Sequence, residues 1–313
     1  MNTILRDNRT DEAPELPAAP PAGGERRMAR AALLLSALAL CVACAALLLH
    51  LRAPAESEPE PPPAAAEPVE AAEPASVRFR NHILPVLEGV PVNEYAAEAF
   101  RVDEAGFLRY ADAPLGVDVS SYQGEIDWEW AAASGVSFAM IRAGLRGYTR
   151  GGIMTDTMFE RNITGARAAG LDVGVYFFSQ AISVAEAEEE ADVLLGLIEG
   201  YDVTYPVVFD WETIGDAAAR TNGIGSLEVT RFARAFCERV AGAGYQPMVY
   251  FNLDQGYLAY RLDELTDYLF WLAEYQEQPG FYYRYDFLQF THKGSVAGIE
   301  GTVDLDLDLR GYR

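Results

Sequence analysis

Asp210 and Glu212 stand two residues apart in the run YPVVFDWE. In an extended strand, at about 3.3 Å per residue, both carboxyl groups leave the same face about 6.6 Å apart. Two carboxyls so placed suit acid–base chemistry, one holding a proton for a leaving group while the other stays charged. Two further apolar runs end in acid, with Asp118 in LGVDVSSYQG and Asp304 in GTVDLDLD. A buried carboxylate is costly unless it is paired or hydrogen-bonded, so three acid-tipped strands in one chain imply a site where these acids converge. Crowding raises the pKa of each, which lets one remain protonated near neutral pH.

The elements that must position these acids are legible from Ala113 onward, where short β-rich runs alternate with helix-length stretches. LGVDVS, FAMIRAG, DVGVYFFS, YPVVFDWE and QPMVYF are the strand-like runs, and IDWEWAAASG, MFERNITGARAAG, VAEAEEEADVLLGLIEG and SLEVTRFARAFCERVAGAG lie between them. In the last of these Val229, Phe232, Ala233, Phe236 and Val240 recur at helical spacing. Three further strand candidates follow with little helix among them: YLFWLAEY, YDFLQFT and TVDLDLD. Roughly eight strands alternating with helices predict an α/β fold with a parallel sheet. Acids on both the first and last strands favour closure into a barrel, because closure makes those strands neighbours. In such barrels reactive groups stand at the carboxyl ends of the strands, where Asp118, Asp210, Glu212 and Asp304 are all expected.

The chain before this region is of a different kind. Residues 1–30 read as a cytoplasmic tail. Ala31 to Leu49 is a nineteen-residue run with Ser36 as its only polar member, long enough at about 1.5 Å per residue to cross most of a bilayer core of about 30 Å. Five arginines precede it (Arg6, Arg9, Arg26, Arg27 and Arg30), which orients the amino terminus inward and the remainder outward. A single-pass cell-membrane protein with an extracellular catalytic domain is therefore expected, with an uncleaved signal-anchor favoured over a cleaved signal peptide. Residues 50–76 form a Pro/Ala/Glu-rich linker, with seven prolines and six glutamates between Pro54 and Pro74, a composition that favours an extended stalk. Residues 77–111 read as a lead-in segment, with DEAGFLRYAD as a turn or hairpin, and residues 112–313 as the catalytic barrel.

Composition narrows the function. The net charge of −23 lies in the exported part, since six arginines and five acids nearly cancel within the first 52 residues. Nucleic acid is thereby excluded as a partner, because phosphate binding needs a basic surface. Cys237 is the only cysteine beyond the apolar run, so no intrachain disulfide is available there. Only His292 of the three histidines falls in the domain, which argues against a histidine-rich zinc site. No metal and no cofactor are expected.

GVDVSSYQG with IDW, IRAGLRGY, GLDVGVYFFSQA, PVVFDWE, WLAEY and LQFTHKGSVAGIEGTVDLD, in that order, resemble the glycoside hydrolase family 25 lysozymes, from about Leu115 to the carboxyl terminus. The resemblance implies an irregular TIM-like (β/α) barrel with eight strands and fewer helices. It also implies an N-acetylmuramidase that cleaves the β-1,4 bond between N-acetylmuramic acid and N-acetylglucosamine in peptidoglycan. Matched residue by residue, Glu212 is the general acid and Asp210 the carboxylate that stabilises the oxocarbenium-like state or orients the 2-acetamido group. Asp118 and Asp304 are the other acids of the cleft. Among the aromatic residues, Tyr176, Tyr250 and Trp271 are expected to bind sugar. Two departures stand out: Asp306 where the family often has Asn, and Glu274 where Gln is common. They motivate an alternative, a non-catalytic wall-binding or scaffolding module on the same barrel. The stereochemical course stays open at this stage.

Overall fold

The computed structural model describes residues 76–104 and 106–312. The tail, the apolar run and nearly all of the linker lie outside the described residues, while Ser76 opens the first strand. Among the described residues no helix is long and apolar enough to cross a membrane.

The lead-in comprises two short hairpins, β1 (Ser76–Phe79) with β2 (His82–Pro85) and β3 (Arg101–Val102) with β4 (Leu108–Arg109). DEAGFLRYAD supplies the turn and return strand of the second. The barrel follows in chain order as β5 (Leu115–Val119), α1 (Trp128–Ala133), β6 (Val136–Arg146), β7 (Ile153–Thr155), α2 (Phe159–Ala168), β8 (Asp172–Ser179), α3 (Val184–Ile198), β9 (Val207–Trp211), α4 (Ser226–Gly242), β10 (Pro247–Asn252), β11 (Leu269–Ala273), β12 (Phe287–Gly294) and β13 (Val303–Asp308). Local chemistry starts the helices where the sequence pattern does: Asp127 caps α1 by accepting from Trp130 N, and Ser183 caps α3 by accepting from Glu186 N. In α4 the expected stripe Val229, Phe232, Ala233, Phe236 and Val240 is buried.

Eight strands close in the order β5-β6-β8-β9-β10-β11-β12-β13, with β13 returning to β5, and β7 is an extra edge strand on β6. The expected all-parallel sheet is corrected at one strand, because β13 runs antiparallel to both β12 and β5. Only residues 295–302 join β12 to β13, too few for the dozen or so that a parallel crossover needs, so the chain must turn back. Asp304 therefore stands at the start of its strand, yet on the same rim as the carboxyl ends of the others, directly opposite Asp118 in register.

Strand alternation divides the core in two. Val117, Val175, Phe209 and Leu305 face outward into the layer shared with the helices, whereas Phe138, Met140, Val208, Met248, Leu269 and Phe287 fill the barrel interior. Tyr205 stacks on Phe138 at 4.8 Å and, with Phe287, plugs the end opposite the site. Gly116 makes room for this plug, since a Cβ there would lie 2.2 Å from the Phe138 ring.

Between β10 and β13 no α-helix covers the sheet, and the lead-in takes the place of that missing layer. Phe79 stacks on Tyr257 at 4.5 Å, Leu87 N donates to Tyr283 Oη at 3.0 Å, Arg284 N donates to Pro91 O at 2.8 Å, and Tyr95 packs against Tyr285. Val90, Phe100 and Leu108 join the outer core.

Candidate active site

β9 sets the geometry of the acidic pair. Phe209 and Trp211 point outward into the helical layer, so the period of two turns Asp210 and Glu212 into the barrel mouth, where both line one cavity of about 230 Å³. The backbone beneath them is clamped from both sides. Gln180 Nε2 donates to Glu212 O at 2.8 Å, and Thr221 Oγ1 donates to Gln180 Oε1 at 3.2 Å. Gln255 Nε2 donates to Trp211 O, and the Trp211 indole donates to Ala181 O at 3.1 Å. Both glutamines are buried, and nothing in the local sequence marks either.

Asp118 and Asp304 meet across the β5–β13 ladder and line the same cavity. Gln289 of β12 ties them together. Its Nε2 donates to Asp118 Oδ2 at 2.6 Å and, at a longer 3.4 Å, to Asp304 Oδ2, while its Oε1 accepts from the hydroxyls of Tyr250 at 3.0 Å and Tyr275 at 2.8 Å. The two phenols fix which way the amide points, so its nitrogen must face the acids. The Tyr176 hydroxyl also acts on Asp118, in the direction that favours its charged form. Nothing in the sequence marks Gln289 as functional: a glutamine in a strand carries no signal until its four partners, from three other strands and a loop, are brought around it.

Arg142 of β6 is the one cation lining the cavity among the described residues. It is held by Asp156 at 2.8 Å, donates to Ser121 Oγ at 3.1 Å and lies 5.3 Å from the centroid of the exposed Tyr122 ring. One cation among four carboxyls leaves the mouth strongly acidic. Burial, and next the Asp304 carboxylate, push Glu212 up to about 7. Burial first, then Glu212 and Asp118, raises Asp210 well above the carboxylate range, with Arg142 opposing. Asp118 is likewise raised, by burial and then Asp304, against the hydrogen bonds from Tyr176 and Gln289. Burial lifts Asp304 too, with His292 pulling it back. Such a mouth holds a protonated acid near neutral pH and resists a second and third ionisation, the arrangement a general acid beside a charge-stabilising carboxylate requires.

Tyr176, Tyr250 and Trp271 all line the cavity. Trp271 makes edge contacts with both tyrosines, at 6.2 and 5.0 Å between centroids, and its indole is committed to Asp306 Oδ1 at 2.9 Å. The faces more open to a ligand belong to Tyr122, 85% exposed, and Tyr275, 46% exposed. Glu274 is not part of the cavity. It faces away from the barrel interior and accepts from Gly280 N at 3.0 Å and Phe281 N at 3.2 Å, so its two oxygens hold the loop that follows β11. A carboxylate satisfies both donors, where an amide would offer one acceptor. Among the described residues no group of three or more His, Cys, Asp or Glu side chains is arranged to hold a metal ion.

A model of the family described as glycosyl hydrolases family 25 matches residues 117–299. The chain is 29% identical over 196 residues to the autolytic lysozyme of Clostridium acetobutylicum, covering 61% of this chain and 54% of that protein. It thus spans about half the length of this curated relative. It is 26% identical over 199 residues to lysozyme M1 of Streptomyces globisporus, covering 60% of this chain and 65% of that one. Among solved structures, the spore cortex lytic enzyme SleM of Clostridium perfringens shares the fold, with a TM-score of 0.56 at 21% identity over 64% of this chain and 68% of that one. The lead-in lies outside the family match.

Proposed function

Because the chain belongs to glycosyl hydrolases family 25, we propose that it is a peptidoglycan hydrolase, an N-acetylmuramidase that cleaves the β-1,4 bond between N-acetylmuramic acid and N-acetylglucosamine. The observation that carries this reading is the placement of Asp210 and Glu212 together at the barrel mouth, with Glu212 raised to about 7 by burial. In this reading Glu212 protonates the departing glycosidic oxygen, and Asp210 stabilises the positive charge that develops at the sugar ring or orients the 2-acetamido group. Asp210 lines the cavity, and its buried Oδ1 has no hydrogen-bond partner within the protein. Asp304, tied to Asp118 through Gln289, keeps the Glu212 proton in place. Tyr176, Tyr250 and Trp271 shape the sugar-binding wall. The reading extends to location: Ala31 to Leu49 anchors the enzyme in the cell membrane with its barrel outside, and the Pro/Glu-rich stalk limits its reach to nearby wall.

The test is incubation of the full-length protein with purified peptidoglycan beside its Glu212→Gln variant, followed by mass spectrometry of the borohydride-reduced fragments. Fragments ending in reduced N-acetylmuramic acid from the wild type alone are expected. Binding without cleavage by either protein would replace this reading with a scaffolding role.

A further inference from the structure

Five carboxyl groups converge on the mouth and its floor, and the chemistry above employs four. The fifth, Asp306, sits two residues deeper on β13 than Asp304, opposite Gly116 on one side and Gln289 on the other. Its exposure is 0%. One hydrogen bond reaches it, from the Trp271 indole to Oδ1, and its Oδ2 is buried without a partner. The next inward acid on the same strand shows what a buried carboxylate is ordinarily given. Asp308, equally buried, accepts from Arg310 N, Gly311 N, Tyr312 N and the Tyr205 hydroxyl.

The charged groups facing Asp306 are of its own sign. Asp118 from β5 and Asp304 from β13 both act to keep a proton on it, in addition to burial, which is the larger cause, and the Trp271 indole opposes them. Tyr176 on β8 and Tyr250 on β10 are phenols whose own ionisation is suppressed by burial and by the acids of the mouth, Asp118 and Asp210 among them. Arg142 on β6 is engaged with Asp156 and acts on Asp210 and Tyr176. A fully buried carboxylate with one donor, no cation and two acid neighbours costs far more than the neutral acid.

We propose that Asp306 is a neutral carboxylic acid at the floor of the site, a positioning residue that accepts from the Trp271 indole and leaves the negative charge of the mouth to the acids above it. An ionised Asp306 would place one more negative charge beneath Asp118 and Asp304 and tighten their hold on protons. Neutral, it orients Trp271 without disturbing the acids that act on substrate. The kinetic consequence rests on the muramidase reading; the consequence for folding does not.

Asp306→Asn in the full-length chain tests this, since the amide is isosteric, neutral and keeps an acceptor for Trp271. Unfolded Asp306 ionises near 4, so a native state that keeps its proton is penalised as pH rises. The ratio of folding constants, variant over wild type, is therefore expected to grow about tenfold per pH unit above about pH 4.5 for as long as native Asp306 stays protonated. Both limbs of the kcat/KM profile against pH are expected to coincide with those of the wild type. A ratio that stays constant between about pH 5 and 8 would overturn the proposal, as would limbs displaced to lower pH, which is the mark of a removed negative charge, or failure of this variant to fold. An inactive wild type whose folding ratio still climbs with pH would sink the muramidase reading and leave this one standing.

Discussion

Replacing the proposed acid by its amide, Glu212→Gln, is expected to abolish turnover and at the same time stabilise the protein, with a dependence on pH that the site geometry dictates. In the unfolded chain Glu212 ionises near 4.5, whereas in the folded barrel burial and Asp304 hold its proton until about pH 7. Below pH 4.5 both states are protonated and the side chain costs nothing. Between 4.5 and 7 the unfolded state alone releases its proton, so folding loses about 1.4 kcal/mol per pH unit. Above 7 the loss levels off near 3 kcal/mol, about 1.4 kcal/mol for each pKa unit of the shift. Glutamine cannot ionise and escapes the whole penalty, apart from any change in the partners the carboxyl itself makes. With a urea m-value of about 2 to 3 kcal/mol/M, the variant's unfolding midpoint should match the wild type near pH 4 and exceed it by about 1 M near pH 8. Urea titrations followed by tryptophan fluorescence at three pH values would measure this. Equal midpoints at pH 8, or an advantage already present at pH 4, would refute the argument that burial strains this carboxyl. The same shift places the alkaline limb of wild-type kcat/KM near pH 7, where the acid loses its proton.

Gln289→Glu exchanges the amide that donates to Asp118 and Asp304 for another acceptor, and so replaces a charge-assisted hydrogen bond of about 1.5–3 kcal/mol with repulsion. Loss of at least tenfold to a hundredfold in kcat on peptidoglycan is expected, with KM changed less; retention of activity within twofold would show that Gln289 does not orient the acids. Deleting residues 77–111 uncovers the outer faces of Tyr257, Tyr283 and Tyr285, which Phe79, Leu87, Val92 and Tyr95 now cover. At about 1.5–3 kcal/mol for each large apolar side chain returned to water, the loss approaches the whole stability of a domain, about 5–15 kcal/mol. The shortened chain is expected to be insoluble or unfolded by circular dichroism, and a soluble, cooperative unfolder would show that the lead-in is dispensable.

Much of this protein is written locally. Alternation along β9 alone places Asp210 and Glu212 on one face, because a strand has a period of two whatever surrounds it. Helical spacing identifies the buried stripe of α4, and polar caps at Asp127 and Ser183 mark where helices start. The shortage of helices toward the end of the barrel is visible as a shortage of helix-length stretches.

Other features exist only once distant segments meet. The direction of β13 follows from the length of one connection and from which neighbours the strand must pair with, so the acids of GTVDLDLD look like those of any other strand end until the barrel closes. Gln289 becomes the bridge between Asp118 and Asp304 through partners 171 and 15 residues away, and the Tyr250 that orients it lies 39 residues distant. Gln180 and Gln255 grip the acid-bearing backbone from 32 and 44 residues away. Glu274 stands one residue beyond the inward-facing Ala273, and the pleat turns it to the loop. The lead-in shows no strong periodicity because it is shaped by the surface it covers. The sequence by itself determined which residues share a face, since that depends on backbone period alone. Which way a closing strand runs, which donors reach a buried acid and which acid is left without them depend on contacts between residues far apart in the chain, and only the tertiary structure decided those.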